Sequence, residues 1–365
     1  MDVFGYCKNI GNTTFSQKEF NEVDAMVLSQ LVYYPFDDCF KVNNRVNTKE
    51  LFDCISKDVG IFNSQHKDEY KLLKIMSKGE RFRNLIFYNY ASITDNSNTE
   101  QFCAMMVKIS NNLSAIVFRG TDDSLTGWYE DMQLSYKDVS SQYEALKYVK
   151  SNCRLFKKYI LIGHSKGGNL SLYAAVNSKK SIQNRIQKIY SFDGPGLREG
   201  SYSFESFNRI RDKYIKMVPE FDVVGLIYNN GENRIVVKSS NIGILQHSTY
   251  SWLIDGNKFV IVGKYDRNTE LFDIILSNFL DRTSNEEREG FIEEIFNGLR
   301  ELGVQSMYDF ISFDLPLIVR LLKKIDGFSD KTKKIANIIV TEVIETFGNG
   351  IRLDIKNTLS AWVRK

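Results

Sequence analysis

The segment Gly163-His164-Ser165-Lys166-Gly167 carries the clearest chemistry in this chain. The apolar run Tyr159–Ile162 leads into it, and a helical pattern of Leu170, Tyr173, Ala174 and Ala175 follows at once. A strand, a sharp turn and a helix with a serine at the apex expose that hydroxyl at the carboxyl end of the strand. Flanking glycines are what such a turn requires, because it holds the serine in a strained backbone conformation. A serine is a weak nucleophile at its free pKa and needs a base, usually an imidazole oriented by a carboxylate.

Histidine scarcity narrows the base. There are three. His66 lies in a polar segment far upstream, and His164 adjoins the nucleophile on a tight turn that should point its side chain away from Ser165. Only His247 follows the serine, as the α/β-hydrolase chain order of Ser, then Asp or Glu, then His requires. Two carboxylates compete for the third position. Asp222 follows a strand ended by Pro219 and has apolar neighbours that would shield its bond to the imidazole, so it is the favoured orienter. Asp193, in Phe192-Asp193-Gly194-Pro195-Gly196, is the alternative. Both fall at the carboxyl edge of a parallel sheet, where such folds bind ligands.

Acyl transfer also needs donors for an oxyanion. The N–H of Lys166, the residue after the nucleophile, is one candidate. Thr121 is the other, in Phe118-Arg119-Gly120-Thr121, where a strand stops at a glycine. Trp128 and His164 are the candidate substrate contacts. Trp128 stands in Thr121–Tyr136, which reads either as a mobile lid over an acyl chain or as a helix packed on a core.

The elements that must position these residues are α/β. Strands are expected over Asn84–Ala91, Phe102–Ile109, Leu113–Arg119, the run into Ser165, Lys188–Phe192 and Tyr214–Val218. Arg234–Lys238 and Lys258–Val262 would be the last of the sheet. Ser16-x-x-Glu19 reads as a capping box for a helix to about Val32. Ser141–Asn152 is helical by pattern, and residues 34–80 are irregular or helical. From about Asn268 only helices are expected: one capped by Ser284-x-x-Glu287 and ending at Gly303, then segments near 306–323, 331–347 and 354–363. This gives an α/β-hydrolase core over residues 1–267, with a mixed, mostly parallel central sheet, and a C-terminal helical appendage over 268–365.

Composition excludes several classes. Lys plus Arg is 48 against 45 Asp plus Glu, and the charge is scattered, so no nucleic-acid partner is indicated. No apolar run is long enough for a spanning helix, and the N-terminus lacks a signal-peptide pattern. The five cysteines are dispersed and read as reduced thiols of a cytoplasmic protein. No ligand spacing for a metal and no phosphate loop is present, so no cofactor is expected. Oligomeric state is open.

Phe118-Arg119-Gly120-Thr121, then Trp128 and Asp131, then the Gly163–Gly167 elbow, resemble the fungal-type triacylglycerol lipases of lipase class 3. The Asp193–Gly196 turn falls where those lipases carry a Gly/Pro turn, which favours Asp222 as the triad acid. With Phe20–Asp24 and the helical C-terminal region, the whole chain resembles more closely a related bacterial lipase-like family of unknown function. The resemblance implies a serine hydrolase acting on a lipid or other acyl ester, with a catalytically silent scaffold, a thioesterase or a peptidase as alternatives.

Overall fold

The computed structural model describes residues 1–41, 43–57, 66–95, 100–122, 124–228, 234–304 and 327–347. The two expected helices near 306–323 and 354–363 lie outside the described residues.

Alternating apolar residues build an eight-stranded sheet whose spatial order follows the chain: Arg45–Asn47 (β1), Ile86–Asp95 (β2), Glu100–Lys108 (β3), Leu113–Phe118 (β4), Lys158–His164 (β5), Ile186–Phe192 (β6), Tyr214–Pro219 (β7) and Arg234–Val237 (β8). β1 to β4 pair antiparallel, and β4 to β8 pair parallel. The fold is therefore α/β, of the α/β-hydrolase type with a mixed, mostly parallel sheet. Helices cover both faces of the parallel half, which is why β5 is buried from Tyr159 to His164 without alternation of polarity. Val117, Ile160 and Ile162 face one core with the helix Glu22–Leu31, while Ile116, Phe118 and Leu161 face the other with Leu170 and Leu172. The two-residue period of a strand divides these sets.

The expected strand Lys258–Val262 is split: Lys258–Phe259 (β10) pairs with Ile254–Asp255 (β9) in a separate two-stranded ribbon, while Ile261 bridges Val237 of β8 in antiparallel fashion and the Val262 N–H donates to the Val236 carbonyl. The early capping box also differs. The helix starts at Glu22, and Asn21 and Asp24, not Ser16 and Glu19, satisfy each other's backbone N–H groups. The reason lies in tertiary contacts. Arg81 forms a two-pronged ion pair with Asp24 and donates to the Lys18 and Glu19 carbonyls, pulling residues 18–19 into its shell. The Ser284–Glu287 capping box does form, at the head of Asn285–Glu301, and Gly303 takes φ +76° just past that helix.

Five reduced thiols were expected, but Cys39 and Cys54 are joined in a disulfide. Their helices, Asp37–Phe40 and Thr48–Ile55, pack together, a pairing that sequence spacing alone does not reveal. Cys7, Cys103 and Cys153 are free.

The chain divides into two compact units. Met1–Thr121 and Ser140–Tyr265 form the first, which holds the sheet. The second combines the C-terminal helices with Asp122–Val139, a segment assigned above to residues 1–267. In that unit the helix Leu125–Gln133 buries Leu125 and Tyr129 with Ile292, Phe296 and Leu299. Among the described residues, no helix is long and apolar enough to cross a membrane.

Candidate active site

The nucleophile turn takes its expected form. Ser165 sits between β5 and the helix Lys166–Val176 with φ +56° and ψ −132°, a conformation that disfavours a side chain. Sterics fix its glycines. A Cβ on Gly163 would stand 2.0 Å from the carbonyl of Gly167, so neither strand nor helix could close the turn with a larger residue there. Ser165 is nearly buried, and its N–H donates to the Phe192 carbonyl at 2.9 Å, tying the turn to the end of β6.

His247 reaches this turn from a 3₁₀ turn, Gly243–His247. Gln246 fixes that loop twice: its side chain accepts from Phe221 N–H at 3.1 Å, and its carbonyl accepts from the buried Trp252 indole at 2.9 Å. The carboxylate on the imidazole is Asp193. His247 Nδ1 lies 2.6 Å from Asp193 Oδ2. The structure thus brings the imidazole to Asp193, the alternative, rather than to the favoured Asp222. Asp193 has φ +49° and donates its N–H to the Met217 carbonyl at 2.7 Å, which turns the chain at the end of β6 into contact with the histidine loop. The Gly/Pro turn, whose place in the lipases favoured Asp222, is the one that presents the carboxylate to His247.

Asp222 stands directly behind. It is fully buried and hydrogen-bonded to Asp193, and Tyr265 Oη donates to its Oδ2 at 3.3 Å. Burial, followed by the Asp193 charge, raises the Asp222 carboxyl well above the usual range. Burial also opposes ionisation of Asp193, but the charge and hydrogen bond of His247 and the hydrogen bond from Asp222 outweigh it and lower that carboxyl. The two carboxyls are pushed in opposite directions: Asp193, facing the imidazole, toward its ionised form and Asp222 toward its protonated form. With Asp193 as acceptor, the His247 proton lies on Nδ1, and Nε2 keeps a lone pair.

His164, expected as a substrate contact, is used inside the site. Its Nε2 donates to the His247 carbonyl at 2.9 Å and its Nδ1 accepts from Tyr33 Oη at 2.9 Å. Burial and then the nearby His247 charge lower its pKa to about 3, so it is a neutral brace. Tyr33 had no signal in the sequence: it is 131 residues from its partner and lies just past the helix Glu22–Leu31. Its hydroxyl also packs against Gly120, where a Cβ would be 2.1 Å from Tyr33 Oη and 3.1 Å from Ser165 Cβ. The Arg119–Thr121 backbone therefore runs beside the nucleophile, and Thr121 is half-buried at its end. Lys166 opens the helix after Ser165, where first-turn N–H groups lie outside the helical ladder. Its ammonium is buried and donates to the Gln101 carbonyl at 3.2 Å.

Among the described residues no hydrogen bond joins the Ser165 hydroxyl to His247. Trp128 belongs to the second unit, where it packs on the cluster of Tyr129 and Phe296.

Comparison with known proteins adds two findings. A solved structure titled "Crystal structure of M37 lipase" matches with a TM-score of 0.36 and 15% identity, over 57% of this chain and 71% of that one. No curated protein matches. The Mbeg1-like family model matches residues 76–297, a span that includes Ser165, Asp193, Asp222 and His247 and is more than half of the chain. The chain belongs to the Mbeg1-like family.

Proposed function

We propose that the chain is a serine hydrolase that cleaves a carboxylic ester, of a lipid or another acyl compound, through an acyl-enzyme. The observation that carries this reading is the 2.6 Å bond from His247 Nδ1 to a buried carboxylate, beside a serine on a strained strand-to-helix turn. Ser165 Oγ attacks the carbonyl carbon while its proton passes to His247 Nε2, and Asp193 stabilises the imidazolium. The carbonyl electrons move onto oxygen, where the N–H groups of Lys166 and Thr121 receive the charge, each such donor contributing about 3 kcal/mol. Collapse expels the alcohol, which takes the proton from His247. Water, deprotonated by the same nitrogen, then releases the acid. The free thiols do not compete as nucleophiles: burial pushes Cys7, Cys103 and Cys153 upward, away from thiolate.

A fluorophosphonate probe tests the assignment. Labelling of the wild type that disappears in Ser165→Ala, with a matching loss of ester turnover, is the expected result. Labelling that persists in Ser165→Ala overturns it. The missing hydrogen bond from Ser165 to His247 favours a second reading, a silent scaffold, although such bonds commonly tighten only when substrate binds. Wild type that neither labels nor turns over any ester in a chain-length panel selects the scaffold.

A further inference from the structure

At the amino end of the parallel strands, opposite Ser165, lies a second concave surface. β5 begins at Lys158 and ends at His164, so the two regions are separated by about 20 Å along that strand. The cavity is about 320 Å³ and gathers Arg45, Lys108, Arg154 and Lys157, with hydroxyl and amide groups between them. These four cations are spread over more than a hundred residues of sequence, which is why charge read along the chain gave no basic patch. Among the described residues none lining the cavity is acidic, and none of the four forms an ion pair. Arg45 instead lies over the Tyr88 ring, 4.9 Å from its centroid, and Lys157 donates to the Asn111 carbonyl. Four charges in one polar concavity without a counter-ion are a site for an anion rather than a solvated face.

The loop that supplies two of those cations carries a second, independent feature. Between Arg154 and Lys157 stand Leu155 and Phe156, 69% and 93% exposed. Among the described residues Phe156 is the most exposed of the large hydrophobic side chains, and it has φ +62°, a conformation a bulky residue rarely adopts. A loop tip that holds an aromatic ring out in water, with cations at its base, has the layout of an interfacial anchor. Apolar groups enter the acyl boundary while basic groups meet anionic head groups.

We propose that this end of the sheet docks the chain on anionic phospholipid bilayers: the pocket of Arg45, Lys108, Arg154 and Lys157 takes a head-group phosphate, and Leu155 with Phe156 enters the interface. Neither half suffices alone. A pocket for soluble phosphate has no use for an exposed phenylalanine, and one aromatic loop without charge binds a bilayer weakly.

Co-sedimentation of the full chain with phosphatidylcholine vesicles, with and without phosphatidylglycerol, tests this without reference to ester turnover. Binding is expected only to the anionic vesicles, and it weakens as salt is raised. Arg154→Glu with Lys157→Glu should reduce binding by at least roughly tenfold, given about 1 kcal/mol per basic residue near such a surface. Phe156→Ser should also weaken it, and because that side chain is exposed its thermal melt should match the wild type. Anionic-vesicle binding unchanged in the charge-reversed variant overturns the proposal. So does binding of inorganic phosphate or of a short oligonucleotide that needs the four cations, if Phe156→Ser binds vesicles as wild type does.

Discussion

Asp24 and Asp193 both lie at almost zero exposure in the first unit, and their surroundings differ in kind. Asp24 is saturated. Arg81 grips both oxygens, Tyr6 Oη donates to Oδ1 at 2.9 Å, and the Asn21 N–H donates to Oδ2 at 3.0 Å. The same guanidinium spends its other hydrogens on carbonyls of residues 13–19, so the clamp fixes the N-terminal segment against the rest. Among the described residues, Asp193 meets a Gly225 N–H at 3.2 Å, the Asp222 carboxyl and one imidazole that is partly exposed. A guanidinium does not lose its proton in proteins, whereas an imidazole does so near neutrality. The first arrangement holds the backbone; the second holds an imidazole beside Ser165, the proposed nucleophile.

Substitution should separate the two. Asp193→Asn leaves the His247 tautomer uncontrolled and is expected to reduce ester kcat by about 10⁴-fold, with the folded state kept. Steady-state kinetics beside a urea unfolding curve measures both. A variant that instead loses stability and keeps kcat would make Asp193 a second structural clamp. Asp24→Asn should do the reverse: it strands the buried Arg81 and costs about 3–5 kcal/mol of stability, with kcat per folded molecule unchanged. Equal unfolding midpoints for Asp24→Asn and wild type would remove the basis of the contrast.

The contrast also explains which parts could be read in advance. The Ser165 turn was legible because the demand for glycine at 163 and 167 is local to the turn. His247 was legible because only one histidine follows the serine. The choice between Asp193 and Asp222 was not, since both stand past the ends of adjacent parallel strands and only the loop paths decide which one meets the imidazole. Tyr33 was out of reach for the same reason, as was the Arg81 grip that moved the helix start from the Ser16 box to Asn21. The apolar stripe of Trp128 and Tyr129 was visible, but not its partner, Phe296 and its neighbours in the same compact unit. Periodicity shows that a face is buried, not what buries it.

Asp222 tests how far the site depends on a neutral acid. Asp222→Asn replaces a carboxyl biased toward its protonated form with an amide that can still donate to Asp193, so kcat should fall by about tenfold or less, within the usual effect of one hydrogen bond. The pH profile of stability is more telling. The folded pKa of Asp222 lies above its unfolded value, so its contribution is present below about pH 4 and is lost as pH rises toward the folded pKa. Asp193, lowered, acts in the opposite direction and below that range. The stability of Asp222→Asn relative to wild type should therefore grow with rising pH above about pH 4. A constant difference across that range would mean that Asp222 is not held protonated.

His164 gives the smallest effect, and it concerns the brace rather than the charge pair. Its pKa falls from 6.5 unfolded to about 3 folded, because burial and the neighbouring His247 disfavour its charged form. Above pH 6.5 both states are neutral and no stability depends on it. As pH drops toward 3 the unfolded chain takes up a proton that the folded chain refuses, so stability is lost across that window. His164→Gln keeps a donor for the His247 carbonyl and removes the titration. Urea midpoints at pH 7 and pH 4.5 should show the variant slightly weaker than wild type at the higher pH and closer to it, or level, at the lower one. If both proteins lose the same stability between those two pH values, the acid sensitivity belongs to another group. The imidazole of His164 would then be protonated without breaking the site, and Asp193 with the Gln246 contacts would be left to set the position of His247.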